Sequence, residues 1–291
     1  MREQLWILPS QEPGRVLRAT VFRPADLHHS SENGAPIRHP LVVINHGTDE
    51  YTRLAVSTPV YYWLSRWFVE RGYVVVLPQR RGHGATGGEL SESVGTCENP
   101  DHYASGIVAA NDIVASIDYM NKQSFVATNT VVVGISTGGW ASLALAARNP
   151  SSVRAIVNFA GGRGGHAYGQ ENVVCGERKL LQAAGLYAAS ARIPTVWYYS
   201  ENDSYFAPRL ANRLAHVWRS GGGSVEDHVV PAYGTDGHEI ADDRAGWELW
   251  GVSLEDFLRR TKNLQQPEVK VVTEAAVASE VSSGNAETSF K

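Results

Sequence analysis

Long apolar runs are absent from this chain of 291 residues. No stretch approaches the ~20 residues that span a bilayer, so neither a transmembrane helix nor a membrane partner is expected. The opening MREQLWILPSQEPG lacks the apolar centre of a signal peptide. The chain is therefore expected to be soluble and without an export signal. A large excess of one charge is missing too. Lys and Arg number 26 against 30 Asp and Glu, a net charge of -4. That balance gives no general attraction for phosphate backbones or anionic lipid, and nucleic acid is not an expected partner. Cysteine is scarce. Cys97 and Cys175 are the two in the chain, neither lies in a CxxC pair, and no Cys/His cluster has zinc spacing, so no metal site is expected. In a reducing compartment both would stay free thiols. Yet each sits in a polar loop, VGTCENPD or ENVVCGER, rather than in the apolar segments that house buried structural thiols. Two outcomes stay open: free thiols, or a Cys97–Cys175 bridge that would place the protein in an oxidising compartment, periplasmic or secreted.

What is present reads as a globular α/β chain. Hydrophobic residues make up 43% and charged residues 19%, which excludes wholesale disorder. QLWIL and VLRATVFRP read as two edge strands. Then PLVVINHG, YVVVLPQ, TVVVGI, VRAIVNFAG and PTVWYYS each form a short continuous apolar run, as strands buried on both faces do. Between them lie segments of helical period: STPVYYWLSRWFVERG, YASGIVAANDIVASIDYMNKQ, GGWASLALAAR, a short helix near 177–190, and PRLANRLAHVWRS. A strand VEDHVV and a last helix GWELWGVSLEDFLRR follow. The alternation predicts a mostly parallel sheet with helices on both faces, built as one domain over residues 1–262. From residue 263 to 291 the composition turns to Val, Ala, Ser, Glu and Gly, and the expectation is a disordered tail.

One polar residue sits at a break that needs explaining. Gly134-Ile135-Ser136-Thr137-Gly138 joins a VVV strand to an apolar helix. A serine there projects its Oγ from the carboxyl edge of the sheet, where ligands meet an open parallel sheet, and it does so through a sharp, strained turn. Side chains two residues either side would collide, so glycine stands at both. The N–H of Thr137 then points to where an oxyanion would form. The alternative is a Gly-rich turn with an incidental serine.

A serine nucleophile needs a base, and the base an orienting acid. The strand PTVWYYS leads into ENDSYF, offering Asp203 with Glu201 in reserve. VEDHVV leads into PAYGTDGHEI, where His238 occupies a Gly-flanked loop; the plain alternative for it is an exposed loop histidine. His228 lies inside the strand, and Asp236 is too near His238 in sequence to come from the preceding strand. The loop NHGTDEY offers the N–H of Thr48 as a second oxyanion donor, with Gly47 permitting close approach and His46 packed beneath as a structural histidine. Trp140, Tyr205 and Phe206 are candidate walls of an apolar substrate pocket. Arg80, Arg81 and His83 brace a Gly-rich loop or bind a substrate carboxylate, and bracing is the favoured reading. The stretch GGRGGHAYG (161–169) is expected to form a small lid.

The motifs NHG, PQRRGHGATGG, GISTGG, YYSENDSYF and DGHEI make the chain, over roughly residues 15–262, resemble the α/β-hydrolases. Within them it is similar to the dienelactone-hydrolase-like and prolyl-oligopeptidase-like branch. The resemblance implies an α/β-hydrolase fold, hydrolysis of esters or less often amides through an acyl-enzyme, and no cofactor. Two residues depart from the branch. Serine stands where dienelactone hydrolases proper carry cysteine, and Gln79 stands where the branch often has aspartate before the arginine. The leading expectation is a serine hydrolase of small carboxylic esters. A small peptidase or amidase would use the same triad. A non-catalytic binding protein of this fold would usually lack a triad member, and Ser136, Asp203 and His238 are all present.

Overall fold

The computed structural model describes residues 1–25, 37–49 and 51–262. Its centre is an eight-stranded sheet. The strands are β1 (Arg2–Pro9), β2 (Val16–Arg23), β3 (His39–Asn45), β4 (Val74–Pro78), β5 (Val126–Ile135), β6 (Val153–Phe159), β7 (Thr195–Ser200) and β8 (Val225–Val230). They lie in the order β1-β2-β4-β3-β5-β6-β7-β8. β1 and β2 run antiparallel to their neighbours, and the rest are parallel.

The apolar runs fold this way because alternate side chains feed two separate cores. Leu41 and Val43 of β3, with Val74 and Val76 of β4, face α2 (His102–Met120), α3 (Thr137–Ala146), α4 (Glu177–Ser190) and α5 (Pro208–Ser220). Val42 and Ile44, with Val75 and Leu77, face α1 (Tyr62–Val69) and α6 (Trp247–Thr261). In the second core Trp67 of α1 packs on Trp250 of α6 with ring centroids 5.5 Å apart. Each such buried aliphatic or aromatic side chain stabilises the fold by about 1.5–3 kcal/mol. This is the mostly parallel sheet with helices on both faces expected from the strand–helix alternation, and it fits the α/β-hydrolase fold that the resemblance implies.

Two elements differ from the sequence reading. β2 is not an edge strand: it sits between β1 and β4, and Leu17, Ala19 and Val21 are fully buried. The helix expected over 57–72 is shorter, because Tyr61 adopts a left-handed conformation (φ 40°) and α1 begins only at Tyr62. The residues before it are kept as loop. The tail expected over 263–291 lies outside the described residues. Among the described residues no helix is long and apolar enough to cross a membrane.

Cys97 and Cys175 are bonded, with Cα atoms 4.7 Å apart. Their loops leave β4 and β6, which are separated in the sheet by β3 and β5. The bridge therefore ties two loops across the carboxyl edge. Around it, His102 Nε2 donates to the Cys175 carbonyl at 2.7 Å, and the Cys175 N–H donates to the Gly164 carbonyl at 2.8 Å.

Candidate active site

The carboxyl ends of β3 to β8 converge on Ser136. This residue lies between the last residue of β5 and the first of α3, with φ 53° and ψ -121°. A non-glycine residue rarely holds such angles without support. The support is visible. Ser136 N–H donates to Phe159 O at 2.9 Å, and its carbonyl accepts from Trp140 N at 3.0 Å and Gly162 N at 3.2 Å. A Cβ on Gly134 would strike the backbone of Gly138, and one on Gly138 would strike the backbone of Asn45 and His46. The G-x-S-x-G spacing is thus a steric requirement of the turn. Gly47 is less tightly hemmed, since a Cβ there would lie 3.2 Å from Ser136 Cβ.

The loops after β7 and β8 bring Asp203 and His238 together. Asp203 is 1% exposed. Its carboxylate accepts from the N–H groups of Tyr205 (2.8 Å) and Phe206 (2.9 Å), and His238 Nδ1 donates to both its oxygens at 3.1 and 3.2 Å. With Nδ1 carrying the proton, the neutral ring keeps its lone pair on Nε2. Asp236 shapes the loop instead. It accepts from His238 N–H at 2.9 Å, Ser204 N–H at 3.1 Å and Ser204 Oγ at 2.6 Å. Glu201 is exposed, and His228 lies outside the cleft against Glu226 and Tyr198. The His238 ring is covered by Tyr205 at 4.2 Å, and Tyr205 in turn by His166 at 3.7 Å. Through that stack the 161–169 stretch meets the site.

Ser136 and His238 open into one cleft of about 610 Å³, within the range of small-molecule sites. Tyr205 lines it as expected. Trp140 and Phe206 do not. Trp140 is fully buried, its Nε1 donating to His102 O at 2.8 Å, because α3 is enclosed by β5, α2 and α4 and an aromatic one turn past the elbow enters that layer. Phe206 is 1% exposed and packs beneath the His238 ring. The rest of the wall was missed by sequence reasoning: Val56, Pro59, Val60 and Tyr61 before α1, and Tyr233 before His238. Pro59 within the supposed helix was the available signal. Gln79 fastens this overhang, donating to Val56 O at 2.9 Å.

Beneath Gly47 and Thr48 lies a buried polar network. Arg80 is fully buried and donates to both oxygens of Glu92 at 2.7 and 3.0 Å. Its Nη1 donates to His46 O at 2.7 Å, and its N–H to His46 Nε2 at 3.1 Å. The hydroxyls of Thr48 and Thr137 meet at 2.8 Å, and His83 Nε2 lies 2.9 Å from the Thr48 hydroxyl. Arg81 binds Asp112 and Glu12 instead. Both arginines brace loops. Burial, then the Arg80 charge, holds His46 well below the ordinary 6.5 and His83 down at about 4. Burial alone would raise the Glu92 carboxyl, but Arg80 outweighs it and the carboxyl is held well below 4.5. Asp242 goes the other way. It accepts from the N–H groups of Trp63 and Leu64 at the start of α1, and burial pushes it up to about 6.

These shifts fix a pH dependence of stability. The unfolded chain protonates its histidines near 6.5 while the folded chain resists, so stability from His46 and His83 is full above 6.5 and lost as pH falls towards 4. Glu92 adds a loss below 4.5. Asp242 contributes with the opposite sign, its share being lost as pH rises from 3.8 through 6. The difference between wild type and His83→Gln isolates the imidazole. Thermal melting from pH 7 to 4 should show wild-type Tm falling more steeply than that of the variant. Parallel curves would refute a neutral buried His83.

The fold and this elbow define the chain as an α/β-hydrolase with serine-hydrolase relatives. It belongs to the X-Pro dipeptidyl-peptidase (S15) family, whose profile matches residues 14–207. That match takes in Ser136 and Asp203 and ends before His238. No curated protein matches the chain. Among solved structures, the acylaminoacyl peptidase of Pyrococcus horikoshii is similar with a TM-score of 0.63 at 16% identity, over 94% of this chain and 44% of that one. This chain thus spans less than half the length of that relative. A candidate dienelactone hydrolase from Klebsiella pneumoniae gives 0.55 at 14% identity, over 91% of this chain and 100% of that one. Est1E of Butyrivibrio proteoclasticus gives 0.57 at 13%, over 89% and 99%. At these identities the likeness is one of fold, and it includes peptidases and esterases alike.

Proposed function

We propose that the protein is a serine hydrolase that cleaves carboxylic esters of small molecules through an acyl-enzyme. The observation that carries this reading is that His238, hydrogen-bonded to the buried Asp203, lines the same cleft as a strained elbow serine. Ser136 Oγ attacks the carbonyl carbon as His238 Nε2 takes the hydroxyl proton. Asp203 keeps the imidazole in that tautomer and stabilises the imidazolium. The carbonyl oxygen, now negative, is received by the N–H of Thr137, free of an intrahelical acceptor in the first turn of α3, and by the N–H of Thr48. Collapse of the tetrahedral adduct expels the alcohol, which takes the proton from His238, and water repeats the cycle on the acyl-enzyme. Amide cleavage would use the same groups, and the family match favours that second reading. The Cys97–Cys175 bridge supports work in an oxidising compartment.

A fluorophosphonate probe followed by a paired substrate panel tests the proposal. Labelling at Ser136 is expected, with kcat/KM on short-chain p-nitrophenyl esters exceeding that on X-Pro p-nitroanilides by at least ~100-fold. The reverse ranking would make the peptidase reading the correct one, and absence of labelling would refute both.

A further inference from the structure

Arg80 is placed to do more than hold a loop in shape. It follows β4 by two residues, yet it touches both segments that flank Ser136. Nη1 holds the His46 carbonyl at 2.7 Å. Nη2 reaches the hydroxyl of Thr137 at 3.3 Å and that of Thr48 at 3.5 Å. The two hydroxyls bond to each other, and Thr48 also donates to Glu92 Oε1 at 3.2 Å. The backbone N–H of Arg80 occupies His46 Nε2, which leaves His46 Nδ1–H for the Gly47 carbonyl at 2.6 Å. That carbonyl shares its peptide plane with the N–H of Thr48. In a trans peptide the two point in opposite directions, so fixing one aims the other. The neighbouring N–H, that of Gly47, is taken by the Tyr61 hydroxyl at 3.2 Å.

We propose that Arg80, paired with Glu92, is a positioning residue that sets the spacing and direction of the Thr48 and Thr137 N–H groups around a developing oxyanion. The proposal rests on the serine-hydrolase reading. Preorganised donors cost no rearrangement as charge develops, which is why their alignment matters more to the transition state than to the bound substrate. The guanidinium suits this role because its planar fork engages the Glu92 carboxylate while its remaining N–H groups reach the two hydroxyls and the His46 carbonyl. A carboxylate-binding role for Arg80 does not fit, since the side chain is fully buried and is not among the residues lining the cleft.

Arg80→Met would take from Glu92 its two short hydrogen bonds and leave it the more distant Arg163 at 3.7 Å, so the decisive variant is the pair Arg80→Met/Glu92→Met, with Arg80→Lys and Thr48→Val beside it. Four quantities are read on a short p-nitrophenyl ester and a trifluoromethyl ketone that forms a tetrahedral adduct: Tm, kcat, KM and the Ki of the ketone. In the double variant kcat should fall about 10–100-fold while KM stays within about threefold. The Ki should rise by the factor by which kcat/KM falls. Lysine should restore only part of the loss, and Thr48→Val added to the double variant should cost little more. An unchanged Ki, or a loss carried by KM alone, would overturn the assignment. Lack of ester turnover and of ketone binding in the wild-type enzyme would bring down the hydrolase reading and this proposal together. Ketone binding that survives unaltered in the double variant brings down the brace alone.

Discussion

Ser136→Ala is expected to remove nearly all hydrolytic activity while leaving the fold intact. The substitution deletes one oxygen and keeps the Cβ, so the positive-φ backbone (φ 53°, ψ -121°) is no more strained than before. The hydrogen bonds that clamp the turn use only the Ser136 backbone, and they survive. Melting temperature should therefore stay within a few degrees. Activity should not, because the proposed attacking oxygen is gone, and loss of a triad serine typically costs on the order of 10⁴–10⁶ in turnover. Steady-state assay of the purified variant on a short-chain ester is the measurement. Retention of more than about a tenth of wild-type turnover would remove Ser136 from the mechanism.

The second large effect is expected at His238. Alanine there removes both the proton acceptor and the group that Asp203 orients, and the loss should match that at Ser136 within about tenfold, since the two act as a unit. Asp203→Asn probes the same unit more finely. An asparagine oxygen still accepts from Tyr205 and Phe206, but its amide presents donors to Nδ1, which pushes the imidazole towards the wrong tautomer. A loss of about 10⁴ is the precedent for that inversion. Glu201→Ala is the comparison, because Glu201 is one residue from the strand end and exposed. It should lose less than about twofold. A greater loss at Glu201 than at Asp203 would reverse the assignment of the acid.

The parts of this molecule that were legible in sequence are those set by local rules. Runs such as VVINHG and TVVVGI announce doubly covered strands because no half-exposed strand tolerates them. Gly134 is legible for a similar reason, as the collision it avoids is with Gly138, four residues on, whereas Gly138 clears the distant backbone of Asn45 and His46. Asp203 and His238, which the structure hydrogen-bonds to each other, were singled out by counting strand ends. What escaped depends on distant pairings. Glu92 stands in the polar run GGELSESV, which reads as solvated, yet its side chain is 3% exposed because Arg80 reaches it from a neighbouring strand end. The wall from Pro59 to Tyr61 was absorbed into a helix, since the apolar spacing there continues that of α1. Its departure from helix is fixed by Tyr61 at φ 40° and by the contact of Gln79 with Val56. Trp140 was misplaced because helical periodicity does not say which side of an all-apolar helix meets a cavity.

The Cys97–Cys175 bond joins residues 78 apart, and the covalent ring so closed runs through α2, β5, α3 and β6. Ser136 lies inside this ring, and Asp203 and His238 lie outside it. A cross-link of that span restricts the unfolded chain by about 4 kcal/mol in the chain-entropy account, a sizeable share of the ~5–15 kcal/mol that holds a typical domain together. The restriction is unequal. It confines excursions of the half that carries Ser136 and does nothing for β7, β8 and the loops that follow them. β8 is also the last strand of the sheet, with a neighbour on one side. Local opening of the segment that carries Asp203 and His238 is thus left unrestrained by the cross-link, while the segment that carries Ser136 is held by it.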